Sequence, residues 1–227
     1  MASPRHSLAR LAPAGWASVR LQVPDRHHAA IDRCSVAGWP AVVRRQEDGC
    51  PSHQVCIGIA LPPDPASAIK HRLPVRVDAQ AIADLQPPRS LASVLCVMPA
   101  RWQDGLMRLQ AELSKQQLSL SVFGSAALQA VTGLPYLHAT SDLDLLLQPV
   151  SLTQLETGLQ LLTHYSRELP LDGEIIFPSG DAVAWKEWGN ARRQSASSRV
   201  LVKRPAGVAL MRTDILLATL EQNLCTR

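Results

Sequence analysis

No apolar run in this 227-residue chain approaches the roughly 20 residues needed to cross a bilayer, so a membrane-spanning helix is excluded. The opening stretch, MASPRHSLARLAPAGW, lacks the long apolar segment of a secretory signal, and a cytoplasmic location is expected. The five cysteines (Cys34, Cys50, Cys56, Cys96 and Cys225) are odd in number and have no Cys-x-x-Cys spacing. That argues against a disulfide framework or a structural zinc, and for reduced thiols. Aromatic residues are scarce at 4%. Strong charge is lacking too. The net charge is +4, with 11 Lys/Arg against 7 Asp/Glu in residues 1–90 and 12 against 12 in the remainder. Such an excess is too mild and dispersed for a nucleic-acid stripe, but it suits an acidic partner or a polyphosphate.

What is present is enough for a core. With 46% hydrophobic residues the chain is globular, and its length suits one large or two small domains. It is organised around residues 122–147, VFGSAALQAVTGLPYLHATSDLDLLL. Val122-Phe123 leads into Gly124-Ser125, and a short helix is expected over Ala126–Val131, ended by Gly133. A turn of this kind presents backbone N–H groups and a hydroxyl at a helix N-terminus, where an anion is welcome. Asp142 and Asp144 follow, one residue apart inside an apolar run, and strand alternation points them the same way. Two carboxylates held together repel, and a divalent cation between them relieves that. A lone Gly-Ser is only a turn, and a lone Asp-x-Asp is commonly a solvated strand end. The two in this order point to phosphoryl or nucleotidyl transfer.

The apolar-Gly-Ser followed by Asp-apolar-Asp-apolar resembles the signature of the DNA polymerase β-like nucleotidyltransferase superfamily, with a longer gap between Ser125 and Asp142 than is usual there. The extended string GSAALQAVTGLPYLHATSDLDLLL, with LDGEIIFPSGDAVAWKEW downstream and RHSLARL near the N-terminus, is more specific. Together they resemble the malonate decarboxylase holo-acyl-carrier-protein synthase family, also called phosphoribosyl-dephospho-CoA transferase.

The first domain, residues 1–88, is expected to be small and β-rich. A short helix is predicted over Arg5–Leu11, followed by an irregular Pro/Gly/Trp-rich stretch. Strands are predicted at Trp39–Arg45, around Val55, Ile57 and Ile59, and at Leu73–Val77. Asp78 reads as the N-cap of a helix through Leu85, stopped by Pro87-Pro88. No chemical constellation is visible in this part.

The second domain, residues 89–227, is expected to be nucleotidyltransferase-like, a mixed sheet with flanking helices, making the whole chain α/β (α+β). Trp102, Leu106, Leu109 and Leu113 recur at helical spacing, and Leu118, Leu120 and Val122 alternate as a strand does. Ser151 with Gln154 makes a capping box for a helix that buries Leu152, Leu155, Leu159 and Leu162. Leu171–Phe177 and Ala182–Trp188 read as a hairpin around Pro178-Ser179-Gly180-Asp181, and Leu210, Ile215, Leu216 and Leu220 as a closing helix.

The superfamily resemblance implies a third carboxylate on a strand beside the Asp-x-Asp strand. Asp172 and Glu174 are both candidates; Glu174 is favoured because it lies inside the apolar run, and Asp172 stays open. From Gly189 to Thr213 there are six Lys/Arg and no acid. Arg192, Arg193, Lys203 and Arg204, with Lys186 on the hairpin, are candidate phosphate ligands, since guanidinium forks fit phosphate oxygens. The bland alternative for this run is a solvated loop.

The family resemblance implies transfer of the phosphoribosyl-dephospho-CoA moiety of 2'-(5''-triphosphoribosyl)-3'-dephospho-CoA to a serine of the apo acyl carrier subunit of malonate decarboxylase, releasing pyrophosphate. It further implies Mg²⁺, or Mn²⁺ in its place, on Asp142, Asp144 and Glu174, with Gly124 and Ser125 holding phosphates. Neither membrane nor nucleic acid is an expected partner. The alternatives are a nucleotidyltransferase using an ordinary nucleoside triphosphate on another protein or RNA, and a non-catalytic binding protein with this fold.

Overall fold

The computed structural model describes residues 4–63, 71–195, 198–205 and 207–224. The chain divides into two compact units. One is Met1–Pro88 with Leu128–His138 and Pro205–Gly207; the other is Arg89–Ala127, Ala139–Arg204 and Val208–Arg227. The architecture is α/β. Among the described residues no helix is long and apolar enough to cross a membrane, and Cys34, Cys50, Cys56 and Cys96 are free thiols.

The first unit runs β1 (Leu8–Leu11), α1 (Pro13–Gln22), α2 (His28–Val36), β2 (Ala41–Val43), β3 (Gln54–Ala60), β4 (Arg72–Asp78) and β5 (Ile82–Gln86). Its five strands pair in the order β4-β3-β2-β1-β5. One face of the sheet and the two helices bury Trp16, Val19, Ile31, Cys34, Val43, Ile57, Val75 and Val77.

Three expectations are corrected here. Residues Arg5–Leu11 do not form a helix: Leu8, Ala9 and Leu11 are all buried because β1 is an interior strand, hydrogen-bonded on both sides. The stretch expected to be irregular is helix α1, with Pro13 in its first turn, where the missing N–H costs nothing. Asp78 does accept a bond from the Gln80 N–H at 3.0 Å, but it caps one short turn, and Ile82–Gln86 then pairs with β1 as a strand.

The remaining elements are β6 (Arg89–Ser90), α3 (Leu91–Val94), α4 (Ala100–Lys115), β7 (Leu120–Val122), α5 (Gly124–Thr132), β8 (Leu143–Leu147), α6 (Leu152–Tyr165), β9 (Leu171–Ile176), β10 (Ala182–Ala184), α7 (Trp185–Gln194), β11 (Arg199–Arg204), β12 (Gly207–Arg212) and α8 (Thr213–Leu224), all in the second unit except the end of α5 from Leu128 and the first residue of β12. The sheet of the second unit has the order β12-β11-β10-β9-β8-β7-β6, with β8 and β9 parallel and joined by α6. Helix α4 buries Trp102, Leu106, Leu109 and Leu113, the stripe its sequence spacing predicts. Ser151 accepts from the Gln154 N–H at 3.2 Å and starts α6 as expected.

Other expectations change in this unit. Leu152 is 43% exposed, and α6 turns Leu155, Gly158, Leu162 and Tyr165 inward instead. The second arm of the hairpin stops at Ala184; Trp185 and Trp188 are buried one helical turn apart on α7. Leu210 belongs to β12 and is exposed, as is Ile215, so α8 packs through Leu216 and Leu220.

Candidate functional site

The ladder between β7 and β8 pairs Val122 with Leu145, and the Phe123 N–H donates to the Asp144 carbonyl at 3.0 Å. This antiparallel pairing brings the end of β7 back over the start of β8, so that Gly124 arrives on the Asp144 carboxylate. Gly124 has φ +67°, and a Cβ built there would lie 2.2 Å from Asp144 Oδ2. Only glycine fits that approach. Ser125 follows in the first turn of α5 and is buried, 6% exposed. Turn and carboxylate thus form one place in the fold.

Asp142 is exposed just before β8, and Asp144 is half-buried within it. The parallel ladder sets Asp144 opposite Asp172 and Leu146 opposite Glu174, so all four side chains share one face. Gly173 between the two acids meets Leu145, and a Cβ there would lie 1.9 Å from the Leu145 carbonyl oxygen. The two candidates for third acid differ in surroundings. Asp172 is half-exposed, with Lys186 Nζ 3.6 Å from Oδ1. Glu174 is 5% exposed, and Lys203 Nζ donates to its Oε1 at 2.6 Å.

The basic candidates are tied to acids or helix ends rather than lying in a loop. Arg192 and Arg193 stand in the last turn of α7, where Arg193 bonds Asn190. Lys203 and Arg204 end β11, and Arg204 Nε lies 3.4 Å from the buried Asp181. Asp181 closes the β9–β10 turn, its carbonyl accepting from the Phe177 N–H at 2.9 Å. Sequence reading did not single out Asp181, because its burial and its contact with Arg204 depend on β10 pairing with β11.

No three His, Cys, Asp or Glu side chains among the described residues are grouped closely enough to hold a metal ion by themselves. Mg²⁺ does not require such a cage, because it is commonly held by one or two carboxylates, waters and substrate phosphates. Asp144 against the Gly124 turn, with Asp142 two residues before it in the chain, offers a donor set of that kind.

Residues 90–214 match the family described as phosphoribosyl-dephospho-CoA transferase MdcG C-terminal domain, and residues 4–88 match the corresponding N-terminal domain. A phosphoribosyl-dephospho-CoA transferase of Xanthomonas campestris pv. campestris (strain 8004) is 38% identical over 177 residues, covering 77% of this chain and 79% of the relative. The protein of that name from Bradyrhizobium diazoefficiens is 32% identical over 213 residues, 91% and 89% of the two chains. One from Pseudomonas aeruginosa is 30% identical over 190 residues, 80% and 81%. No solved structure matches the chain.

Proposed function

Since the chain belongs to the phosphoribosyl-dephospho-CoA transferase MdcG family, we propose that it transfers phosphoribosyl-dephospho-CoA from 2'-(5''-triphosphoribosyl)-3'-dephospho-CoA to a serine of the apo acyl carrier subunit of malonate decarboxylase. The serine oxygen gives up its proton to water and attacks the phosphorus nearest the ribose, the bond from that phosphorus to the oxygen bridging it to the next phosphorus breaks, and pyrophosphate leaves with the pair of electrons. A phosphodiester remains on the carrier. The reaction is placed in the cytoplasm.

The observation that carries this reading is the contact of the Gly124 turn with Asp144. It sets an anion cradle against a carboxylate, and it supports grouping the second unit with the DNA polymerase β-like nucleotidyltransferases. The Gly124 and Ser125 backbone and the Ser125 hydroxyl hold phosphate oxygens at the N-terminus of α5. Asp142 and Asp144 are the residues that would hold Mg²⁺. When bound, the ion lowers the serine's pKa and neutralises charge on the leaving group. Asp172, on the rung beside Asp144, is the third acid in this proposal, and Glu174 orients Lys203 toward the phosphates. Lys186, Arg192, Arg193 and Arg204 supply further counter-charge where the transition state accumulates it.

The test is the intact mass of purified apo carrier after incubation with this protein, Mg²⁺ and triphosphoribosyl-dephospho-CoA. A single added phosphoribosyl-dephospho-CoA is expected. Equal or better transfer from ATP would reassign the donor to an ordinary nucleoside triphosphate.

A further inference from the structure

The last two strands of the second unit leave apolar side chains in water. Leu201 on β11 is 43% exposed, and Val208 and Leu210 on β12 are 54% and 66% exposed. Along β11, Val200 and Val202 are fully buried, so Leu201 lies on the opposite side of the strand with Arg199 and Lys203. That side can be traced across the sheet. Lys203 pairs with Ala182, Ala182 with Ile176, and Ile176 shares a face of β9 with Glu174 and Asp172. Asp172 in turn pairs with Asp144. Leu201 therefore faces the same side of the sheet as the candidate acids.

Strand β12 is the edge of that sheet. Its exposed residues Val208, Leu210 and Arg212 alternate with half-buried ones. Folded proteins usually blunt a sheet edge with charge or cover it, and apolar side chains left together there mark an interaction surface. The charges around it are mixed: Arg212 pairs with Asp214 and Glu187 accepts from the Leu201 N–H, while Arg199 stands exposed beside Leu201 on the same side of β11.

We propose that this edge, with Leu201, Val208 and Leu210 as its apolar centre and Arg199 at its rim, is where the acceptor protein docks through an acidic surface surrounding its serine. The inference rests on the transfer reaction proposed above. The acceptor must bring its serine to phosphates held at Asp144, and a footing on the same sheet face lets a small protein reach them. The leucines supply contact area that is lost from water, and the arginine supplies steering and register.

Steady-state kinetics with purified apo carrier test it. Leu210→Glu and Arg199→Glu should each raise the KM for carrier about tenfold or more while the KM for triphosphoribosyl-dephospho-CoA stays unchanged. The wild-type KM for carrier should also rise between about 50 and about 500 mM salt, and less steeply in Arg199→Glu. Wild-type modification of the carrier with an unchanged carrier KM in both variants overturns the docking surface and leaves the transfer reaction standing. Failure of the wild type to modify the carrier overturns both. Light scattering adds a separate outcome: a dimer that Leu210→Glu dissociates without altering carrier KM assigns the edge to a second copy and overturns the proposal. Should Leu210→Glu fail to fold, Leu210→Ser takes its place, with a rise in carrier KM expected and no rise overturning the proposal.

Discussion

Asp144 on β8 and Asp172 on β9 occupy the same rung of a parallel ladder, with side chains on one face. Neighbouring strands lie about 5 Å apart, so two carboxylates on one rung repel, which Lys186 beside Asp172 relieves in part and a shared cation would relieve further. Asp142→Asn and Asp144→Asn keep size and remove charge. Transfer should fall by orders of magnitude, because metal stabilisation of the transition state is worth several kcal/mol. The melting temperature of the metal-free protein should hold or rise. Normal turnover with both residues neutralised would remove the metal site from this face.

The rung also ranks the other two acids. Asp172→Asn should lose transfer as Asp144→Asn does, with little change in folding. Glu174→Gln should instead weaken the hold on Lys203, raising the KM for the triphosphate donor and lowering the melting temperature, since a buried hydrogen bond to a charged group is worth about 1.5–3 kcal/mol. The opposite ranking in kcat would return Glu174 to the metal and leave Asp172 to Lys186.

At the turn, Gly124→Ala places a methyl group 2.2 Å from Asp144 Oδ2 and forces a non-glycine residue to φ +67°. The backbone part alone should cost about 1–3 kcal/mol in a chemical melt. Transfer should be abolished. Ser125→Ala is milder and should lower kcat/KM by roughly 1.5–3 kcal/mol through one lost bond to a charged oxygen. Unchanged kinetics in a folded Gly124→Ala protein would dismiss the phosphate cradle.

The basic residues separate by their partners. Arg192→Ala with Arg193→Ala, on the exposed last turn of α7, should raise the donor KM and leave the melting temperature in place. Lys203→Ala should do both, because it leaves Glu174 buried without this partner, and adding Glu174→Gln should recover part of the stability. If the arginine pair has no effect on KM, those two side chains are only solvated.

The two ion pairs of Glu47 in the first unit predict a pH dependence. Glu47 is held below the usual carboxylate range, first by its bond from Arg76 at 3.0 Å and then by the charge of Arg44. Its folded pKa is depressed, so its contribution is present above the unfolded pKa and is lost as pH falls through the folded one. Both arginines and the glutamate are about 38% exposed, which keeps the effect small. The melting-temperature difference between wild type and Glu47→Gln should therefore be positive at pH 7 and shrink toward pH 3. A difference constant across that range would contradict these pairs.

What could be read from sequence was local. Gly-Ser, Asp-Leu-Asp, the α4 stripe and the Ser151 cap depend on spacing within one segment. What could not be read depends on partners supplied from elsewhere. Residues Arg5–Leu11 carry Leu8 and Leu11 at helical spacing, and only pairing with β2 and β5 makes them a strand. Gly15 looks like a helix breaker, yet α1 uses it where the Ala81 carbonyl comes close, 2.9 Å from a built Cβ. Trp185 and Trp188 look like the end of a hairpin, although their three-residue separation was itself a helical signal. At the site, alternation within β9 leaves Asp172 and Glu174 both open because they share a face, and the register that sets Asp172 opposite Asp144 comes from another strand.

Gly173 bears on how this sheet can change over time. With 1.9 Å from its would-be Cβ to the Leu145 carbonyl oxygen, every substitution available to drift at that codon collides with the neighbouring strand. The acids on either side can be exchanged without that collision, even where the exchange should abolish transfer. The residue between them cannot. Selection is therefore held to a single amino acid at position 173 by the neighbouring backbone, whatever the reaction asks of the acids beside it.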